Sequence, residues 1–584
     1  MSFEEMMAIA ETLNAKYEQA FVLVDKKLEF DYEDRRGWDM MIFQTISFWD
    51  RMWIPRKKIR ERFNYFFGES SKKIEDRQEA LDVLLNVTST IQEKMVSCLK
   101  SESTYGMLLK LYFIFDEVHS IYLTEKKIRA NLVEQNIDNE TVIDTFVSNK
   151  NIERDIIDAC NIWIENCVLY QHDLDIQNLN VKEEFVMDYS LIIDMYLYGF
   201  ASRAISLLML SKKIGEENTF YGLEIIPGKD IPAEVLKYHP YIYFNTAIVG
   251  NQNVLVDIAL TADANDTEFG KGFLDENKVQ FLLFLAAIIN FQKSQLIDDD
   301  KSLTVISKEK FISLVESYTN PKIDNGEVFY ESFVLTRDKI KQHLRKKEEI
   351  IWVVGVNKYR HEIRPFIGLD DGNVLVSYGA LEQAKQLWVS YFSNGGMCYT
   401  NPKNPDKLNV AMEKRNKELS DLLVDKVREI LNKHYSAKID YKDVKYYRIF
   451  GKRKINYGDF DVVFFDEKAK ELFLIESKYF SDSLNSSGMV TDYTKMFEAG
   501  GYYDHCRRRY DLVLAEPEKI KNFIGTEEEI SVHMLFLSSK PIEMEFQDKD
   551  GVVTCLSLVI FEKYIEGKLI SGETDEVMRP VKKL

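Results

Sequence analysis

Between Pro55 and Pro227 the chain contains no proline, and apolar residues in that span recur at helical spacing. Leu81, Leu84, Leu85, Val87 and Ile91 form one such stripe; Leu191, Ile192, Met195, Tyr196 and Phe200 form another. Proline stops helices and central strands, so its absence over roughly 170 residues predicts a stack of amphipathic helices for residues 1–230. No repeat period stands out, which argues against a solenoid. Residues 231–400 read as a mixed α/β middle region. Val279 to Phe291 predicts a buried helix, and Glu349 to Val356 a strand. Ile363 to Leu369 and Asn373 to Tyr378 predict two strands flanking the turn Asp370-Asp371-Gly372. Asn401 to Pro405, with two prolines and two asparagines, continues neither regular structure and marks a linker.

Residues 401–584 form the third expected unit. The pattern predicts a helix over about 411–434 and strands over about 443–450, 457–466 and 471–480. Two helical pieces split by Gly500-Gly501 follow, then strands at 531–538 and 552–561. Helix, three-strand meander, helix and strand make an α/β unit with a mixed central sheet. The expected class is therefore a multidomain α + α/β protein with a largely helical N-terminal half.

Composition narrows the function. With 45% apolar and 12% aromatic residues, the 584-residue chain can pack several cores. The acidic start lacks a basic, apolar leader, and the longest apolar run falls short of the ~20 residues a bilayer needs. A cytoplasmic protein with no membrane partner is expected. Six cysteines without a CxxC pair exclude a zinc finger and argue against a disulfide framework. The net charge of −19 opposes nucleic-acid binding by the whole surface, so any such function must be local.

One segment carries chemistry. Gly458 to Phe465 (GDFDVVFF) is followed by a short polar turn and Leu472 to Lys478 (LFLIESK). Side chains alternate across a strand, so Asp461 shares a face with Val463 and Phe465, and Glu476 with Leu474 and Lys478. A four-residue loop, Glu467 to Lys470, sets residue 466 against 471 and Asp461 against Glu476. Such a cross-strand pair has Cβ atoms about 4.5–5.5 Å apart. At ~5 Å and an effective dielectric near 20, two carboxylates repel by about 3 kcal/mol. Either one takes up a proton or a divalent cation sits between them. Lys478 offers charge but no coordination, so a hard cation is the expected occupant.

The helix before the meander, the GDFDVVFF strand, the IESK strand and the following helix together resemble the PD-(D/E)xK nuclease superfamily, the restriction-endonuclease-like fold. The resemblance covers about residues 408–560. It implies a Mg²⁺-dependent endonuclease, with Mn²⁺ able to substitute, and DNA as the nucleic acid cut. It implies Asp461 and Glu476 as metal ligands, the Ser477 carbonyl as a further ligand, and Lys478 as the residue that positions or polarises the attacking water. Phe460, not proline, precedes the aspartate, and Asp459 lies on the same face two residues away. Family members often add a glutamate from the first helix, for which Glu418 is the candidate here. The products implied carry a 5′-phosphate and a 3′-hydroxyl, and the context implied is anti-phage defence or restriction.

Charge is laid out to suit a phosphodiester backbone. Residues 438–454 hold seven basic side chains, Lys445, Arg448, Lys452, Arg453 and Lys454 among them, against two acidic ones. Arg507 and Arg508 open a second cluster, and Tyr493 and Lys495 are candidates for contact with the scissile phosphate. Residues 401–584 hold 31 basic and 33 acidic side chains, leaving 45 and 62 to residues 1–400. That acidic body is expected to restrain the nuclease until a substrate or protein activator arrives. Pairing into a homo-oligomer is compatible with double-strand cuts. Arg337 to His343 matches the Arg-x(4–6)-His spacing of HEPN ribonucleases, a spacing that eight histidines meet by chance. No phosphate-cradling glycine loop, HExxH or GxSxG pattern is present.

Overall fold

The computed structural model describes residues 52, 54–67, 76–101, 104–134, 140–170, 189–214, 219–221, 224–226, 264–294, 303–319, 326–342, 358–395, 406–480, 495–496, 500–539, 552–569, 577 and 579–584. The chain divides into two compact units: residues 1–230 with 277–388, and residues 231–276 with 389–584. The expected middle region is thus shared between two neighbours.

Among the described residues, the first unit opens with helices α1 (Arg56–Phe67), α2 (Arg77–Ser101), α3 (Thr104–Glu134), α4 (Glu140–Leu169) and α5 (Tyr189–Ile214), as the proline-free span predicted. A short antiparallel pair, β1 (Thr219–Tyr221) and β2 (Glu224–Ile226), follows. Helix α6 (Glu268–Asn277) falls almost wholly in the second unit. Helix α7 (Phe281–Lys293) stands where a buried helix was expected but is buried on one face only, through Phe281, Phe284, Ala287, Ile288 and Phe291, with Leu282 and Ile289 exposed. Next come β3 (Leu303–Ser307), α8 (Lys308–Thr319), α9 (Gly326–Phe333), β4 (Val334–Leu335), α10 (Arg337–Lys341), β5 (Phe366–Gly368), β6 (Asn373–Ser377) and α11 (Tyr378–Asn394). The strands form one sheet in the order β3-β6-β5-β4. β5 and β6 pair antiparallel around the predicted turn, where Gly372 takes φ 84°. The strand expected at Glu349–Val356 lies outside the described residues. This region joins the helices because Ile340, Ile367 and Leu375 share an apolar core with Phe115, Trp163 and Tyr196.

The helical unit departs from simple amphipathicity. Helix α4 buries Asp155, Asn161 and Glu165. The carboxylates are paired: Arg203 donates twice to Asp155, at 2.7 and 2.8 Å, and Arg360 donates to Glu165 at 2.8 Å. Buried charge persists where an opposite charge and hydrogen bonds compensate it.

The second unit carries the candidate chemistry. Asp406 caps α12 (Lys407–His434) by accepting the Asn409 N–H at 2.8 Å. There follow β7 (Ile439–Lys445), α13 (Tyr446–Phe450), β8 (Asp459–Asp466), β9 (Glu471–Lys478), α14 (Tyr502–Ala515), α15 (Pro517–Ile524), β10 (Ser531–Ser538), β11 (Thr554–Ser557), α16 (Leu558–Ile565) and β12 (Lys582–Lys583). The sheet runs β11-β10-β9-β8-β7, with β12 beside β10. β8 is antiparallel to both neighbours, whereas β9, β10 and β11 run parallel. One face packs Val462, Phe464, Phe473 and Ile475 against Val427 and Leu431 of α12 and Phe561 of α16. The other packs Val463, Phe465, Leu472 and Leu474 against Tyr510 and Val513 of α14 and Ile520 of α15. The result is a three-layer α/β/α unit. Two predicted strands end early, at Lys445 and Ser557, because the residues beyond them turn into helices α13 and α16. Among the described residues no helix is long and apolar enough to cross a membrane.

Candidate functional site

Loop length sets the register of β8 on β9. The turn Glu467–Lys470 joins them, and the pairs run from Asp466 opposite Glu471 to Val462 opposite Ile475, the register expected from sequence. One step further the ladder opens. Asp461 Oδ2 there accepts the Ser477 N–H at 2.6 Å, so the side chain satisfies a backbone donor. The separation of the two strands is what frees the Asp461 carboxylate to face Lys478.

Four charged groups meet at this opening. Lys478 Nζ lies 3.3 Å from Asp461 Oδ2 and 2.5 Å from Glu476 Oε1. Arg509 Nη1 lies 2.6 Å from Glu476 Oε2. The Arg509 side chain is 3% exposed and that of Glu476 8%. Asp461 and Glu476 are therefore brought together, and the Lys478 ammonium lies between them. Burial opposes the charge on Lys478, yet Glu476 and Asp461 outweigh it and hold the ammonium pKa above its ordinary value.

Arg509 is the member the sequence reading missed. Arg507 and Arg508 stay on the surface of α14 and pair one turn along, with Asp511 at 2.9 Å and Asp504 at 4.0 Å. Arg509 points inward because Cys506, Tyr510 and Val513 mark the buried stripe of the helix, and position 509 falls within it. Its guanidinium also lies over the Phe460 ring, 5.3 Å from the centroid.

Glu418 is not brought to the pair. Its carboxylate takes Arg415 at 2.8 Å, and α12 packs on the face of the sheet opposite the one α14 covers. Glu418→Ala is expected to cost about 0–1 kcal/mol of stability and to leave any phosphodiesterase activity of the unit within about twofold of wild type. A cleavage assay with parallel urea unfolding checks both, and a hundredfold loss of rate would return Glu418 to the site.

The basic rim is partly neutralised. Lys445 pairs with Asp459 at 2.7 Å and Arg453 with Glu516 at 2.7 Å. Arg448, Lys452 and Lys454 are exposed and take no ion-pair partner among the described residues. Lys495 is exposed, and Tyr493 lies outside the described residues.

Oxygen donors suited to a hard cation are present. Asp461 adjoins Glu476 on one side. On the other, Asp443, Asp459 and Asp461 bring carboxylate oxygens within 4.8 Å of one another. Asp443 holds this place at the cost of a left-handed backbone, φ 55°, in the strand facing Asp461. In an extended strand the N–H and C=O of one residue point to the same side, so the Ser477 carbonyl faces β8 as its N–H does. These oxygens could hold a metal ion if Lys478, with 26% of its side chain exposed, turns outward.

Burial, and then the Glu476 carboxylate, push the Asp461 pKa up to about 6, against the pull of Lys478 and the Ser477 N–H. The sign follows. The fold favours protonated Asp461, so this contribution is complete below the ordinary value of 3.8 and is lost as pH rises through about 6. Asp461→Asn removes the ionisation, so the variant is expected to be more stable than wild type by about 1–3 kcal/mol near pH 8. The difference should close near pH 4. Urea unfolding at the two pH values measures it, and a difference independent of pH would contradict the assignment. Compared with protein-family models, with curated proteins and with solved structures, the chain matches none.

Proposed function

We propose that the C-terminal unit is a metal-dependent nuclease of the PD-(D/E)xK type that hydrolyses phosphodiester bonds in DNA. The observation that carries this reading is the convergence of Asp461, Glu476 and Lys478 where β8 and β9 separate. The order of helix, three-stranded meander, helix and parallel strand in a mixed sheet supports it as well. Asp461, Glu476 and the Ser477 carbonyl would hold Mg²⁺ or Mn²⁺, with Asp443 and Asp459 as neighbouring oxygen donors. The ion when bound supplies Lewis-acid polarisation of the phosphate and acidifies water. Lys478, released from the carboxylates, orients the attacking water. Arg509, 2.6 Å from Glu476 Oε2, holds that carboxylate in place.

A second reading, a nuclease-like scaffold without activity, is favoured by one observation. Lys478 and Arg509 already balance the two carboxylates, and both oxygens of Glu476 are engaged. Cleavage of plasmid and single-stranded DNA in magnesium and in EDTA, by wild type and by Lys478→Ala, separates the two. Magnesium-dependent cutting by wild type alone supports the nuclease. Equal cutting by both proteins, or by neither, supports the scaffold.

A further inference from the structure

The segment between β7 and β8 forms a surface platform beside α15, where Lys519 donates to the Phe450 carbonyl at 3.2 Å. Helix α13 and the loop after it fold on each other through Tyr446, whose ring lies 5.3 Å from that of Tyr457. The Tyr446 hydroxyl accepts the Arg453 N–H at 3.3 Å, and its own N–H donates to the Gly458 carbonyl at 3.0 Å. With Tyr446 turned in, Tyr447 is turned out and is 45% exposed; Ile455 across the loop is 57% exposed. Arg448, Lys452 and Lys454 are exposed cations of the same short element, as is Arg453, which pairs with Glu516. Isolated exposed apolar residues are ordinary. An exposed tyrosine, an exposed isoleucine and these exposed cations within residues 447–455, on a chain of net charge −19, are not a generic surface.

The platform leads into the carboxylates. Gly458 closes it with φ 80°, and a methyl group there would meet the Arg509 guanidinium at 3.8 Å. Arg509 in turn holds Glu476. The platform therefore adjoins the carboxylates through Gly458 and Arg509.

We infer that this platform binds single-stranded nucleic acid, with Tyr447 stacking on a base, Ile455 packing against a base face, and Arg448, Lys452 and Lys454 contacting phosphates. The single strand follows from the chemistry. A duplex offers phosphates to the cations but hides its base faces, so the exposed ring would gain nothing from it; an unstacked base gains a π surface. The inference rests on the nuclease reading for its purpose but not for its measurement.

Binding is read by fluorescence anisotropy in EDTA, where metal-dependent cleavage does not run, so a failure of the nuclease reading and a failure of the platform are separate results. The probes are fluorescein-labelled oligo(dT), oligo(U) and a DNA hairpin duplex. Tyr447→Ala is expected to weaken single-strand binding by about 5- to 150-fold and Tyr447→Phe to retain it, with duplex binding unchanged. Replacing Arg448, Lys452 and Lys454 together by alanine should reduce the salt slope of single-strand binding by about 2. Preference for oligo(dT) or for oligo(U) supports the platform and assigns the sugar. Binding of neither, an unchanged affinity in Tyr447→Ala, or an equal loss on the duplex overturns it.

Discussion

Lys478→Ala is expected to lower magnesium-dependent cleavage by about 10²-fold or more while leaving the protein folded and able to bind metal. The three parts of that expectation have separate causes. The rate falls because the variant has no cation to orient the attacking water. The fold stands because each carboxylate keeps another partner: Glu476 retains Arg509 at 2.6 Å, and Asp461 retains the Ser477 N–H at 2.6 Å. Metal binding persists, and tightens, because the ammonium that shares the carboxylates is gone and a divalent cation no longer competes with it. Plasmid nicking measures the first part, circular dichroism the second, and Mn²⁺ titration by electron paramagnetic resonance the third. Wild-type rates in the variant would remove Lys478 from the chemistry. Loss of Mn²⁺ binding together with rate would make the lysine a structural brace.

How much of this was legible in sequence depended on whether the signal was local. The β8–β9 register was legible because a four-residue turn leaves few alternatives and both strands are apolar around their charges. Two strand ends were not. Tyr446, Ile449 and Phe450 are β-formers by type, but their buried positions fall at i, i+3 and i+4, the helical period. Leu558, Ile560, Phe561, Tyr564 and Ile565 form an apolar run whose helical spacing is masked by its continuity. The site was half legible for the same reason. Asp461 and Glu476 are neighbours through one hairpin, whereas Arg509 arrives from a helix about thirty residues further along the chain. Counting the apolar stripe of α14 through Cys506, Tyr510 and Val513 would have placed it. Glu418 misled because a helix carries glutamates at every angle, and only the sheet face that the helix covers decides which can reach the strands' open end. Asp443 had no such signal, since its approach to Asp461 rests on a left-handed residue within a strand.

Arg509→Met is expected to destabilise the C-terminal unit by about 3–5 kcal/mol, a large share of the 5–15 kcal/mol typical of a folded domain. The substitution keeps most of the side-chain volume and the contact with Phe460, so the loss comes from charge. Glu476 is left 8% exposed with Lys478 as its remaining cation, and Lys478 must then serve both carboxylates alone. Hydrogen exchange of peptides covering β9 and α14 should show protection falling by about 10²- to 10³-fold. Arg508→Met is the internal comparison, one residue away on the same helix. Its guanidinium lies 4.0 Å from Asp504 at a surface where the side chain is 57% exposed, so its removal is expected to change protection by less than about twofold. Equal effects of the two substitutions would mean that Arg509 does not hold Glu476 in solution. A large effect confined to Arg509 would fix α14 as the element that holds the Glu476 carboxylate in place. Cleavage by Arg509→Met should then fall further than the lost stability explains, because a freed Glu476 can turn toward Lys478 and keep that lysine from the water it must orient.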